Sequence, residues 1–364
     1  MPRAAAAARA VAGGAAVGCR AARIEALNAA LAAEKQARIQ AMQAIRDHLA
    51  HTQRHYVHAS KTIGSAIGRF SAAPGECMSA IERVSADSAS VILADMDSAI
   101  VLITDKAHHD GFAAHALSVM TLSLLLARQA RLPEEALRTL GVGALLHDIG
   151  ELDLNPSIVR NMERGRHEES AYRAHCTLGA QRLRDAGNVH PAVVQAALSH
   201  HEAHDGSGFP QGLSGDTIPV AARVVAIANR FDNLVNPIDV RRAVSPSEAL
   251  SLMWVREKRC FDPVLLQLFV RAVGVYPPGT IVQLTDGRVG AVVLSASIED
   301  PLSPQVLVYE PEVTRSHAII VDLAQDRSVR IDRSLRLADR PAEELDYLLP
   351  RRRMGWFLDM GEGA

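Results

Sequence analysis

Five histidines and one acid in this 364-residue chain sit where imidazole and carboxylate are costly to place, on or at the ends of apolar segments. His115 lies within FAAHALSVMTLSLLLA, His147 and Asp148 follow two leucines in LLHDIGE, His175 opens HCTLGAQRL, and His200 and His201 close AALSHH. Polar groups buried at such positions destabilise the fold unless something satisfies them. A single buried histidine is more often a hydrogen-bonded core residue than a ligand, but five with an acid point to metal. Neutral imidazole and carboxylate suit iron, manganese, zinc or nickel, whereas magnesium or calcium would be caged almost wholly by oxygen. One structural zinc needs four ligands, and this set is larger. Two ions sharing the Asp148 carboxylate would use it. Ions about 3.5–4 Å apart bind a phosphoryl group from both sides and deprotonate a bridging water. Hydrolysis of a phosphate ester by a metal-bridging hydroxide, with His147 and Asp148 at its catalytic centre, needs no serine or cysteine nucleophile, and no G-x-S-x-G motif occurs.

Holding ligands from distant stretches of chain calls for a helical bundle. Residues 112–130 and 134–148 read as two apolar helices joined by RLP. Residues 191–202 open with a proline suited to a first helical turn, and 220–235 resume a helix that carries Asn229 and Asp232. Between the last two lies AHDGSGFPQGLSGDTIP, a loop dense in glycine and proline. Residues 21–72 favour helix, and His48, His51, His55 and His58 fall on one stripe of it. Lacking an acid or cysteine, that stripe reads as the half-polar face of a helical pair or coiled coil rather than a metal or haem site. After VYPPGT the pattern alternates and turns at Asp286-Gly287, a hairpin signal. QVLVYE and HAIIVDL add strands to a small β-barrel-like appendix.

The expected order is therefore a disordered leader (1–20), a helical segment (21–72), a mostly α metal-binding domain (73–275), a small β domain (276–340) and a tail (341–364). A net charge of −2 argues against non-specific nucleic-acid or membrane-surface binding. Aromatic residues, at 4%, are too few for a base-stacking surface. Four scattered cysteines make no disulfide framework and fit a reducing cytoplasm. No apolar run has the length of a membrane span.

The motifs as a set resemble the HD-GYP proteins, the branch of the HD phosphohydrolases that cleaves cyclic di-GMP. HDIG, HHEAHDGSGFP, the H-x-x-x-G of HCTLG, and GLSGDTIPVAARVVAIANRFDNL carry the resemblance over about residues 95–300. It implies a mostly α, HD-type bundle with His115, His147, Asp148, His175, His200, His201 and Asn229 at the metal positions. The ions would be two, iron or manganese first, with zinc or nickel as substitutes. Cyclic di-GMP would be the substrate, opened to the linear dinucleotide or on to GMP. The substrate side would comprise Glu151, the loop residues Asp205, Gly206, Gly208, Phe209 and Pro210, and Arg241. The resemblance also implies a diguanylate cyclase domain as partner for the Gly208-Phe209-Pro210 loop. The N-terminal helix suggests a homodimer.

Several positions depart from the family pattern. Asn229 stands where the family has a ligating Asp, and Phe209 replaces the Tyr of the G-Y-P loop. Glu151 stands where the family has a Lys that would face phosphate. Gly111 occupies a place where some relatives carry a Glu for a third ion, so a trinuclear site is not expected. These departures leave a second reading, a catalytically weak protein that binds metal, cyclic di-GMP or a partner as a scaffold. A third is a hydrolase of another phosphorylated nucleotide, against which the G-F-P loop argues.

Overall fold

The structure is a computed structural model that describes residues 51–94, 100, 111–297, 299–315 and 318–349, with scattered residues between 23 and 47. The leader over 1–20, the tail beyond 349 and His48 lie outside the described residues. From His51 onward the chain forms one compact unit.

A helix covers 51–68 (α1), followed by α2 (Pro74–Ala94) and α3 (Gly111–Gln129). Next come α4 (Glu134–Leu146), a 3₁₀ turn (Ile149–Asp153), α5 (Pro156–Arg160) and α6 (Arg166–Arg173). The bundle ends with α7 (His175–Asp185), α8 (Pro191–Ser199), α9 (Val220–Val235), α10 (Pro246–Val255) and α11 (Pro263–Val273). The fold is mostly helical, as the sequence implies, and the helix limits fall within a few residues of those read from apolar runs.

Start and stop signals are local. Pro191 occupies the first turn of α8, where its missing N–H is no loss, and the His190 ring accepts the Ala192 N–H at 3.1 Å. Asp262 caps α11 by accepting from Val264 (2.9 Å) and Leu265 (3.0 Å). Glu134 and Glu135 place negative charge at the α4 N-terminus.

α3 is the centre of the bundle and is buried on almost every side, with α2, α4, α9 and α11 packed around it. By length and composition it could cross a membrane, but 72% of its apolar window is buried inside this fold, as in a core helix. α1 joins the same core through Ala59, Ile63, Ala66 and Ile67, followed by Phe70 in the turn. On its polar side His51 and His58 are exposed, and the half-buried His55 is 3.0 Å from the Ser88 hydroxyl of α2. Over the described residues this is a half-polar helix face.

The C-terminal part is a five-stranded antiparallel sheet of β1 (Ile281–Leu284), β2 (Val289–Leu294), β3 (Gln305–Val308), β4 (Ile320–Asp322) and β5 (Ile331–Ser334). Its order is β4-β3-β2-β1-β5, so the edge strands β4 and β5 are the ends of an open ladder rather than a closed barrel. The β1–β2 hairpin turns at Asp286-Gly287, where Gly287 takes φ 89°. Val282, Leu284, Val292, Val306 and Val308 form a core separate from that of the bundle. A short helix, α12 (Ala342–Leu348), follows the sheet.

Candidate metal centre

The ligands arrive from helix ends and from one helix interior. His147 terminates α4, His175 opens α7, His200 terminates α8, and His115 projects from the first turns of α3. The last glycine of HDIG explains how the first two meet. A Cβ on Gly150 would overlap the His175 carbonyl oxygen and the Gly179 nitrogen, so only glycine lets the 3₁₀ turn lie against α7. Gly179 is the glycine of H-x-x-x-G, one helical turn after His175, and completes that close approach.

Asp148 stands at the junction. Its Oδ2 lies 3.0 Å from His147 Nε2 and 3.5 Å from His115 Nε2. Its Oδ1 lies 3.1 Å from His200 Nε2 and 3.4 Å from His175 Nε2. Two candidate ligand sets result, His115–His147–Asp148 and Asp148–His175–His200–His201, each with ligand atoms within 4.8 Å of one another.

Four of the histidines have Nδ1 engaged by a fixed acceptor, which turns Nε2 inward as the ligating atom. His147 Nδ1 donates to the Ala144 carbonyl (2.8 Å) and His175 Nδ1 to that of Tyr172 (2.6 Å). His200 Nδ1 reaches the Ala197 and Ala196 carbonyls at 3.0 and 3.1 Å, and His115 Nδ1 lies 2.7 Å from Asp232 Oδ2. Such outer partners select the tautomer and orient metal-binding rings.

The set fits a metal. His147 Nε2, Asp148 Oδ1 and His201 Nε2 are buried and make no directed hydrogen bond, although their neighbours stand close. Lone pairs that converge without sharing a proton are costly among themselves and are satisfied by a cation.

The other residues singled out in the sequence take varied positions. Asn229 is buried on α9, and its amide oxygen accepts from Asn233 Nδ2 at 2.7 Å. Glu151 lies in the 3₁₀ turn and hydrogen-bonds to Tyr172; burial and the neighbouring Asp148 charge raise its carboxyl to about 7. Arg241 is exposed and paired doubly with Asp239, at 2.9 and 3.0 Å. Asp205 accepts from the Ser207 backbone and hydroxyl, Gly206 takes φ 80°, and Phe209 lies flat on His201 with ring centroids 4.6 Å apart. The loop thus borders the centre through Phe209, while Asp205 and Pro210 face outward.

Three residues near the centre had no role assigned from the sequence. Asp232 was visible on its helix, one turn after Asn229, yet its partnership with His115 spans 117 positions and leaves no local pattern. Tyr172 packs its ring 4.8 Å from His175, with the Arg164 guanidinium 3.6 Å above it. Glu202 anchors the glycine-rich loop by accepting from Gln211 and Leu213.

Residues 97–265 match the family model described as HD domain. Over these residues the chain resembles that family. The likeness to HD-GYP proteins read from the motifs is borne out by its relatives. The chain is 34% identical over 223 residues, 61% of its own length and 53% of the other's, to cyclic di-GMP phosphodiesterase PA4108 of Pseudomonas aeruginosa. It is 32% identical over 167 residues, 45% of its own length and 44% of the other's, to the cyclic di-GMP phosphodiesterase response regulator RpfG of Xanthomonas campestris. The chain therefore spans about half the length of these curated relatives. Among solved structures, Bd1817, an HDG"Y"P protein from Bdellovibrio bacteriovorus, shares the fold with a TM-score of 0.54 at 18% identity, covering 61% of this chain and 71% of that one.

Proposed function

We propose that the HD domain is a metal-dependent phosphodiesterase of HD-GYP type that hydrolyses cyclic di-GMP in bacterial second-messenger signalling in the cytoplasm. The observation that carries this reading is the division of Asp148, one carboxylate oxygen toward each ligand set. Two divalent ions, iron or manganese, fit the donor chemistry of mixed imidazole and carboxylate. When bound, such a pair supplies Lewis acidity toward a phosphoryl oxygen and a water of lowered pKa.

The chain's own residues do the rest. His115 and His147 with Asp148 hold one ion, and His175, His200 and His201 with the same carboxylate hold the other. Asp232 and the helix-end carbonyls keep the Nε2 atoms of His115, His147, His175 and His200 turned toward the ion each would hold. Arg241 would have to exchange Asp239 for a substrate phosphate. The outward edge of the loop at Asp205 and Pro210 is the part open to a partner such as a diguanylate cyclase domain.

Glu151 favours a second reading, a protein that binds metal and nucleotide but turns over slowly. Its carboxylate stands near Asp148, and a negative charge beside the centre opposes an anionic phosphate.

The test is anaerobic purification, counting of metals by mass spectrometry, and chromatography of cyclic di-GMP with added Mn²⁺ or Fe²⁺. Two ions per chain with linear dinucleotide or GMP formed is the expected result. Two ions with nucleotide bound but no product would establish the scaffold reading instead. A protein that takes up no metal and stays inactive with every ion would overturn both.

A further inference from the structure

The loop after His201 folds back onto the histidine it follows. Glu202 is buried and accepts the backbone N–H groups of Gln211 at 2.7 Å and Leu213 at 2.8 Å, and the Phe209 N–H returns to the His201 carbonyl at 3.1 Å. A Cβ on Gly208 would overlap the Ala203 nitrogen and the His201 carbonyl oxygen, so the return path admits only glycine. Its outcome is a stack. The Phe209 ring lies on the His201 imidazole with centroids 4.6 Å apart and planes 17° from parallel. The Arg173 guanidinium lies 4.7 Å from the Phe209 centroid, itself held by Glu169 at 2.8 Å.

His201 needs such support. The other four histidines of the centre each have Nδ1 bonded to a fixed acceptor. Among the described residues no hydrogen bond fixes the His201 ring, and its Nε2 is buried without a partner. The terminal torsion of histidine is broad, so a ring without an outer hydrogen bond loses orientation and with it ligand strength.

We propose that Phe209, backed by Arg173, is a positioning residue that holds His201 in its metal-binding orientation, doing by stacking what a hydrogen bond at Nδ1 does for the other ligands. The loop is then part of the metal centre's support, whatever else touches its outer edge. This rests on the two-metal reading.

Equilibrium dialysis against Mn²⁺ with mass-spectrometric counting tests it without recourse to turnover. In Phe209→Ala the ion that uses His201 is expected to bind about 10–100-fold more weakly. The ion at His115 and His147 keeps its parental affinity and reports that the bundle is folded. Phe209→Tyr preserves the flat face and restores the parental value. Phe209→Leu keeps apolar bulk without the face and behaves like Phe209→Ala. Arg173→Ala weakens the same ion by about two- to fivefold. Parental affinity for both ions in Phe209→Ala, or in Phe209→Leu, overturns the proposal. A parent protein that binds fewer than two ions overturns the two-metal reading itself, a failure seen before any variant is compared.

Discussion

Around Asp148, His115 and His175 fall in one protonation class and His200 and His201 in another when no ion lies between them. Burial alone would lower His115, but its hydrogen bonds to Asp148 and Asp232 override it and raise the ring to about 10. His175 is likewise raised to about 11, against burial, by Asp148 and the Cys176 thiol. Burial wins at His200, lowered to about 4, and at His201, held well below its usual value by burial and the adjacent His200. Asp148 itself is kept well below the carboxylate range because the surrounding histidines outweigh its burial. Stability from the raised histidines is fully present below about pH 6.5. It is lost as pH rises through about 10 for His115 and 11 for His175. At neutral pH a metal must therefore displace protons from His115 and His175, while His200 and His201 are already neutral. Loading Mn²⁺ at pH 7 in weak buffer is expected to release the protons of His115 and His175, with apparent affinity climbing from pH 7 to 9. A pH indicator reads this directly. Metal uptake without proton release, at an affinity independent of pH, would sink the assignment of those two histidines.

Between elements, the contact of the 3₁₀ turn with α7 bears most directly on the centre, because it sets Asp148 against His175. Gly150→Ala drives a methyl into backbone atoms that cannot rotate away. It is expected to destabilise by at least about 2 kcal/mol, seen as a lower urea midpoint at unchanged slope, with weaker metal binding. Gly75→Ala in α2, where nothing lies within 4 Å of the added carbon, is the matched control and should be neutral or slightly stabilising. If both variants lose the same stability, glycine's backbone freedom and not close approach explains Gly150. The contrast also marks how far the sequence could be read. Helix limits were legible because Pro191 and the apolar runs act within one or two turns. The ligands were legible because polar groups on apolar helices stand out. The pairing of Asp232 with His115, the Tyr172 contact with Glu151, and the Phe209 stack depend on which helices meet, which no local period encodes. Strand β5 escaped notice for a different reason: IDRS is an edge strand, exposed at three of its four residues, and lacks the alternation of a half-buried strand.

Across the whole molecule, the metal centre and the sheet draw on different cores. The bundle's core runs from α1 to α11, whereas the sheet's is confined to residues of the β region. Ligands from α3, the end of α4, α7 and the end of α8 meet only in the folded bundle, so an ion that binds there opposes unfolding of those helices together. At a free metal concentration about 100 times the dissociation constant, the linkage is worth about 2.7 kcal/mol. For a domain of this size that corresponds to a melting shift of roughly 5–10 °C, reversed by chelator. None of the candidate ligands lies on β1–β5, so the ion should leave their local opening unchanged. Hydrogen exchange with and without Mn²⁺ separates the two expectations. Amides of α3, α4, α7 and α8 should gain protection, while those of the β1–β2 hairpin should exchange as before. Equal protection of the hairpin would mean that bundle and sheet unfold as one cooperative unit despite their separate cores. A melting temperature indifferent to both metal and chelator would mean that the histidines do not hold an ion in the native state.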